Sequence, residues 1–288
     1  DAVRVNGDQL RCKVVGEGGN LGFTQRGRIE YATKGGPDHT GGLIYADFID
    51  NSAGVDCSDH EVNIKILLGG AVQDGELTPD GRDALLAEMA DEVADLVLRD
   101  NYDQARALGN ARAQARLLLP VHRRMISDLE RSGRVDRALE ALPSDEELAA
   151  RGQAGAGLTT PELAVLMAYA KIVLEEEIAA SSLPDDPWTR EVLRDYFPSP
   201  LRERFADRMA DHPLRREIVT TALVNEAVNR GGISFVYRAA EETGAAPEDV
   251  LRAYVIAREV FGLRELWDAV RALDNRVDTA AQVAVYLG

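Results

Sequence analysis

The sequence predicts a short α/β segment followed by a mostly α-helical domain, with the division between residues 76 and 77. Three observations carry this. Thirteen of the 25 glycines fall in residues 1–70, under a quarter of the 288-residue chain. The same segment holds the apolar run Leu10-Arg-Cys-Lys-Val-Val15 next to turn-forming residues, the composition of a short buried strand. From Thr78 onward the chain is rich in Ala, Leu, Glu and Arg, with Leu85, Met89, Val93, Leu96 and Val97 at helical spacing, as packed helices require.

In chain order, the strand at 10–15 runs into Gly16-Glu-Gly-Gly-Asn-Leu-Gly22, where only a loop fits. Residues 27–32 read as a second short strand or a helical turn. Residues 35–42 read as a loop and 43–50 as a short apolar run. Ser58 is expected to N-cap a helix reaching Leu68. Glu61 stands three residues on, in capping-box spacing, and Ile64, Leu67 and Leu68 form the apolar face. Helices are predicted over 84–99 and 102–132, the second broken at Pro120. Ser144-Asp-Glu-Glu147 is another capping box, and residues 152–157 read as a flexible connection. Thr160-Pro161-Glu162 opens a helix to Ala180, with proline where its missing N–H is harmless. That helix is apolar on most sides and is therefore expected to be central. Helices over 187–195, 199–210, 213–229, 233–243, 247–260 and 263–274 complete the reading.

Composition excludes several functions. The net charge is −16, from 33 basic and 49 acidic residues. Nucleic-acid binding draws on clustered Lys and Arg, so no nucleic-acid partner is expected, and no anionic membrane surface either. No apolar stretch approaches the roughly 18 residues of a membrane span. Two cysteines, Cys12 and Cys57, are too few for a disulfide framework, so a reducing cytoplasm is the expected setting. The chain opens on Asp1, with an apolar run almost at once, and so reads as a piece of a longer protein.

Four clusters bear chemistry. The glycine-rich turn at 16–22 would let a ligand approach backbone N–H groups, although its spacing is not GxGxxG and a structural turn is the alternative. Asn51-Ser-Ala-Gly-Val-Asp-Cys-Ser58 places small residues at a helix start, which suits an anionic group; capping by Ser58 is the alternative. Asp56, Cys57, Asp59, His60 and Glu61 resemble metal ligands by type, but their spacing matches no metal signature. A solvated helix start is favoured there, and no metal is expected. His122 and His212 are read as packing or surface histidines.

Taken in order, Val14-Val-Gly-Glu-Gly-Gly-Asn20 and Asp50-Asn-Ser-Ala-Gly-Val-Asp-Cys-Ser58 resemble the V-E-G-A-N turn and the N-A/S-G-G-V-x-x-S segment of glutamate dehydrogenases. The fuller wording of both segments is similar to the large bacterial NAD-specific glutamate dehydrogenases. The likeness continues through Leu158–Lys171, His212–Ile218, Val228–Gly232 and Ala257–Phe261. It departs from the smaller enzymes at Leu21-Gly-Phe-Thr24, where they carry Pro-Thr-Thr, and at Ala53-Gly54, where they carry two glycines.

The resemblance implies that residues 1–76 are the last part of a Rossmann-like dinucleotide-binding core, and that 77–288 are a helical C-terminal domain. It implies NAD-dependent conversion of L-glutamate to 2-oxoglutarate and ammonium by a homo-oligomeric enzyme. The catalytic lysine and aspartate, and the dinucleotide-binding GxGxxG turn, would lie upstream of this chain, which alone would be inactive. Asn20, Asn51, Gly18 and Gly19 are implied at the NAD site. Ser58 is implied at the substrate side-chain carboxylate, Val55 in the substrate pocket, and Gly54 where backbone comes close. Another class of reading remains open: a non-catalytic helical module for assembly or regulation. A branched or aromatic substrate is disfavoured, because it would leave the Ser58 hydroxyl unpaired.

Overall fold

Apolar residues spaced by three and four from Ala46 to Val255 bury one continuous core, and helices are what hold them there. The structure is a computed structural model that describes residues 4–287. Helices α1 (Gln25–Lys34), α2 (Asp47–Asp50) and α3 (Ser52–Gln73) belong to the glycine-rich part. They are followed by α4 (Pro79–Glu88), α5 (Ala90–Gln114), α6 (Leu119–Arg131) and α7 (Asp145–Gln153). The centre is α8 (Thr160–Ala180), and around it lie α9 (Thr189–Tyr196), α10 (Ser199–Arg204), α11 (Ala206–Ala210) and α12 (Arg215–Glu226). The chain closes with α13 (Phe235–Thr243), α14 (Pro247–Val260), α15 (Leu263–Arg271) and α16 (Thr279–Leu287).

The central helix is the one the sequence marks. Every residue from Thr160 to Met167 is buried. α8 packs on α1, α5, α12 and α14. Its first turn is fixed by the buried Glu162, which accepts from the Thr159 N–H at 2.7 Å and from both Arg151 terminal nitrogens at 2.7 and 2.8 Å. One carboxylate thus satisfies an orphan helix N–H and ties α7 to α8. The Ser144 capping box forms as read: Ser144 N–H donates to Glu147 at 2.7 Å, and Glu147 N–H donates back to the Ser144 hydroxyl at 3.2 Å.

Several expectations are corrected. The strand at 10–15 is reduced to one parallel bridge, Val14 to Leu43, held by Val15 N–H to the Leu43 carbonyl and Leu43 N–H to that of Lys13. Val14 is 60% exposed, so there is no sheet to bury it among the described residues, and a Rossmann-like layer is not seen there. Residues 27–32 resolve into the helical alternative, α1, N-capped by Thr24 through the Gly27 N–H. The predicted gap near residue 100 is absent because Asn101, a residue that tends to break helices, sends its amide across to the Ile49 carbonyl and Ser52 hydroxyl instead. The real break is at Met89, with φ −97° and ψ 3°. Pro120 starts α6 rather than interrupting a helix, as its missing N–H allows. Phe205 divides the predicted 199–210 helix into α10 and α11. The 213–229 helix ends in a π turn over Ala227–Gly231. α16, which packs on α5, was not expected at all.

The 152–157 connection is a packed joint rather than a flexible one. A Cβ on Gly157 would stand 2.3 Å from the Ala115 carbonyl carbon, a backbone atom that cannot swing aside. Gly157→Ala is therefore expected to destabilise the chain by about 1–3 kcal/mol, measured by urea denaturation. Unchanged stability would restore the reading of a free linker.

Candidate functional site

The glycine-rich turn is anchored at its one acidic residue. Glu17 is buried, and Arg28 of α1 grips it along one edge of the guanidinium, Nε donating to Oε1 at 2.6 Å and Nη2 to Oε2 at 2.9 Å. The same Nη2 lies 3.1 Å from Asp47 Oδ1. Two turn N–H groups then dock on the acids of α2: Glu17 N–H on Asp50 at 2.7 Å and Leu21 N–H on Asp47 at 2.9 Å. Burial alone would raise the Asp47 carboxyl. The Leu21 and Phe48 N–H groups and Arg28 outweigh it and hold Asp47 below its ordinary value. Asp50 moves the other way, raised by burial and by the neighbouring Glu17 and Asp47 charges.

This anchoring presents the rest of the turn outward. Leu21 is 88% exposed at φ +63°. Gly18 and Gly19 are exposed, have no positive φ, and a Cβ on either would meet nothing within 4 Å. Neither backbone strain nor a neighbour in this chain requires glycine there. Asn20 Oδ1 accepts from Asn51 Nδ2 at 3.0 Å, so two segments thirty residues apart in sequence meet through the two side chains that the resemblance implies at the NAD site.

Asn51 stands at the corner between α2 and α3, which Asn101 pins from α5. α3 starts at Ser52, six residues before the expected cap. Ser58 is therefore an exposed residue in the second turn of a helix, not its N-cap, and Glu61 pairs with Lys65 rather than closing a capping box. The stretch 52–57, ahead of the expected cap, is small and glycine-containing, yet the pinned corner lets it form the first turns of α3. At 100° per residue, Asn51, Gly54, Val55 and Ser58 share one side of α3. Val55 is 74% exposed on that side.

The other side of α3 is buried. Asp56 and His60 line a cavity of about 460 Å³ with Asp100 and Asp103 of α5 and Tyr196 of α9. His60 is 3% exposed, with Tyr196 stacked on the imidazole at 4.4 Å, so the solvated reading fails at His60, whereas Cys57, Asp59 and Glu61 are exposed as expected. Burial raises Asp56 to about 7 and Asp100 to about 6, in each case with help from a neighbouring aspartate, Asp100 and Asp103 respectively. Burial lowers Lys171 to about 8 despite the acids around it. His122 and His212 take packing roles. Burial and Arg238 push His122 down to about 4. His212 Nδ1 accepts from Leu214 N–H, leaving Nε2 to donate to the Asn63 carbonyl at 3.1 Å. Sequence reading missed Glu17, Arg28, Asp47 and Asn101. Their partners are 11 to 52 residues away, and no local pattern marks them.

Two family models match. "Bacterial NAD-glutamate dehydrogenase, catalytic domain" covers residues 1–111, and "Glutamate dehydrogenase, C-terminal" covers 155–288. The chain belongs to the bacterial NAD-specific glutamate dehydrogenase family. It is 51% identical over 287 residues to the NAD-specific glutamate dehydrogenase of Halomonas elongata. Identity is 52% over 272 residues to the Mycobacterium tuberculosis protein of that name, and 49% over 285 to that of Pseudomonas aeruginosa. These alignments take in 94–100% of the chain but only 16–17% of each relative. The boundary of the catalytic-domain match, residue 111, falls within α5. The glutamate dehydrogenase turn, α2, α3 and most of α5 thus lie in that match.

Two predictions follow from the anchoring. Arg28→Met leaves a buried, unpaired Glu17 and is expected to destabilise by about 3–5 kcal/mol in urea titration; a change under about 1 kcal/mol would deny the network its role. Asp47 has a folded value below its ordinary 3.8. Its contribution is therefore full above that value and is lost as pH falls through the lower folded one. The stability gap between wild type and Asp47→Asn is expected to hold steady from pH 7 to 5 and to close below about pH 4. A gap that widens on acidification would contradict the assignment.

Proposed function

We propose that this chain supplies part of the cofactor and substrate site of an enzyme that oxidatively deaminates L-glutamate. The reaction is L-glutamate, NAD⁺ and water going reversibly to 2-oxoglutarate, ammonium, NADH and a proton. The observation that supports it best is the Asn20–Asn51 hydrogen bond, which joins the two family segments on one exposed surface. In this reading residues 1–76 close the Rossmann-like dinucleotide-binding core of a longer protein, and 77–288 are its helical C-terminal domain. The proton-transfer lysine and aspartate stand elsewhere in that longer protein.

The residues present fit a dinucleotide. Gly18 and Gly19 leave open the space a Cβ would fill, which lets a bound group reach the turn's backbone. Asn20 and Asn51 offer amides to the nicotinamide ribose end, held in place by each other. The cofactor, when bound, accepts the hydride from the substrate's α-carbon. Ser58 donates its hydroxyl to the substrate's side-chain carboxylate, Val55 lines the pocket beside it, and Gly54 keeps the backbone close. An apolar side chain would leave the Ser58 hydroxyl unpaired, which sets the preference for glutamate. With Ser58 inside the helix, this recognition rests on its exposed position beside Asn51 and Val55, not on a helix terminus.

A second reading, assembly through the helical domain, draws on Ile256, Val260 and Phe261, large apolar side chains left exposed on and just after α14. It is compatible with the first and adds a homo-oligomer. A cytoplasmic setting completes the proposal. Among the described residues no helix is long and apolar enough to cross a membrane.

The test is oxidation of NADH by the intact protein with 2-oxoglutarate and ammonium, against NADPH. Turnover is expected to need both substrates and to prefer NADH. Ser58→Ala is expected to raise the glutamate KM about tenfold or more, as loss of one buried polar contact does, with little change in the KM for NAD. No turnover by the folded protein would leave the assembly reading alone, and an unchanged glutamate KM would remove Ser58 from the site.

A further inference from the structure

On the buried side of α3, opposite Asn51, Val55 and Ser58, two carboxylates and an imidazole converge without partners. Asp56 and His60 are one helical turn apart, so both reach the same side. Asp100 comes to meet them from α5. Donor atoms of the three lie within 4.8 Å of one another. Neither nitrogen of the 97%-buried His60 ring makes a hydrogen bond: Nδ1 is buried and unsatisfied, and Nε2 stands 4.0 Å from Asp56 Oδ1. Asp56 Oδ2 is also buried and unsatisfied. A native structure rarely leaves such groups unpaired without water, a ligand or an ion to satisfy them.

The cations nearby do not fill the gap. Lys171 acts on both aspartates through space, yet forms no ion pair with either. Arg230 is spent on Asp103, at 2.7 Å. The ring itself cannot swing away, because Tyr196 stacks on it and is tethered by Asp59 and Asn63 at 2.7 and 2.9 Å.

We propose that Asp56, His60 and Asp100 form a binding site for a divalent transition-metal ion that fastens α3 to α5. One imidazole and two carboxylates suit zinc or manganese. Calcium and magnesium prefer all-oxygen shells. Metal–ligand distances near 2.1 Å put tetrahedral donors about 3.4 Å apart, so from a largest separation of 4.8 Å the three groups close by about 1.4 Å at most. The remaining coordination position opens into the cavity, where water completes the shell. The consequence is mechanical: the metal clamps the inner side of the helix whose outer side carries Asn51, Val55 and Ser58.

The test uses the intact, untagged protein after chelation, titrated with Zn²⁺, Mn²⁺ and Mg²⁺ by calorimetry and thermal melting. Expected are one Zn²⁺ or Mn²⁺ bound per chain with a raised Tm, and no response to Mg²⁺. Asp56→Asn with Asp100→Asn is expected to weaken binding at least 100-fold while the metal-free Tm stays level or rises, since two repelling carboxylates are gone. His60→Gln is expected to weaken binding at least tenfold, and decides the matter if the double variant does not fold. Absence of binding to wild type, or equal affinity in wild type and His60→Gln, would overturn the site.

Discussion

Burying an acid under a glycine-rich turn is tolerable only when a cation is buried with it. Here Glu17 and Arg28 meet that condition, and much of the site's geometry depends on it. The guanidinium lies between Glu17 and Asp47. Through these acids and Asp50 the turn is fixed to α2, and α2 leads through Asn51 into α3. A turn rich in glycine loses more conformational freedom on ordering than any other segment. Its order therefore has to come from outside its own backbone. Asp50 and Asp47, which accept from its N–H groups, and Arg28, which bridges Glu17 to Asp47, provide that.

α3 is the structural hinge of the account because its two sides face different tasks. The exposed side carries Asn51, Val55 and Ser58, the residues proposed for cofactor and substrate. The buried side carries Ile64, Leu67 and Leu68 into the core and Asp56 and His60 toward the polar cavity. Asn101 fixes the start of α3 from α5, and α5 in turn packs on α8. The position of Ser58 is thus set by a path of packed elements that leads to the most buried helix in the chain. A change deep in α8 or α5 can move the exposed surface without touching it.

Local signals were legible where both partners sit within one turn. The Ser144 box, the Thr160-Pro161-Glu162 start and the central place of α8 all follow from neighbours in sequence. Where the deciding partner is distant, the reading failed for a physical reason. Ser58 has the residues of a cap, but the corner six residues earlier, pinned by Asn101, had already started the helix. His60 stands among acids, as solvated residues do, yet it is buried, and the ring stacked on it, Tyr196, is 136 positions away in sequence. The run 10–15 has strand composition, but a strand needs neighbours, and the one it finds gives a single bridge. The resemblance implies Asn20 and Asn51 at the same end of the cofactor, and their side chains do meet, while the Glu17–Arg28–Asp47 network that fixes the turn beside them left no mark in spacing or composition.

Amide hydrogen exchange over residues 16–22 of the intact protein, wild type against Arg28→Lys, tests whether Arg28 orders the turn. Lysine keeps the charge but cannot bridge two carboxylates with a planar fork. The expected result is loss of protection at the Glu17 and Leu21 N–H groups, at least tenfold faster exchange, with the amides of α8 unchanged. Equal protection of Glu17 and Leu21 in the two proteins would show that the turn is ordered without Arg28, and would contradict the central claim.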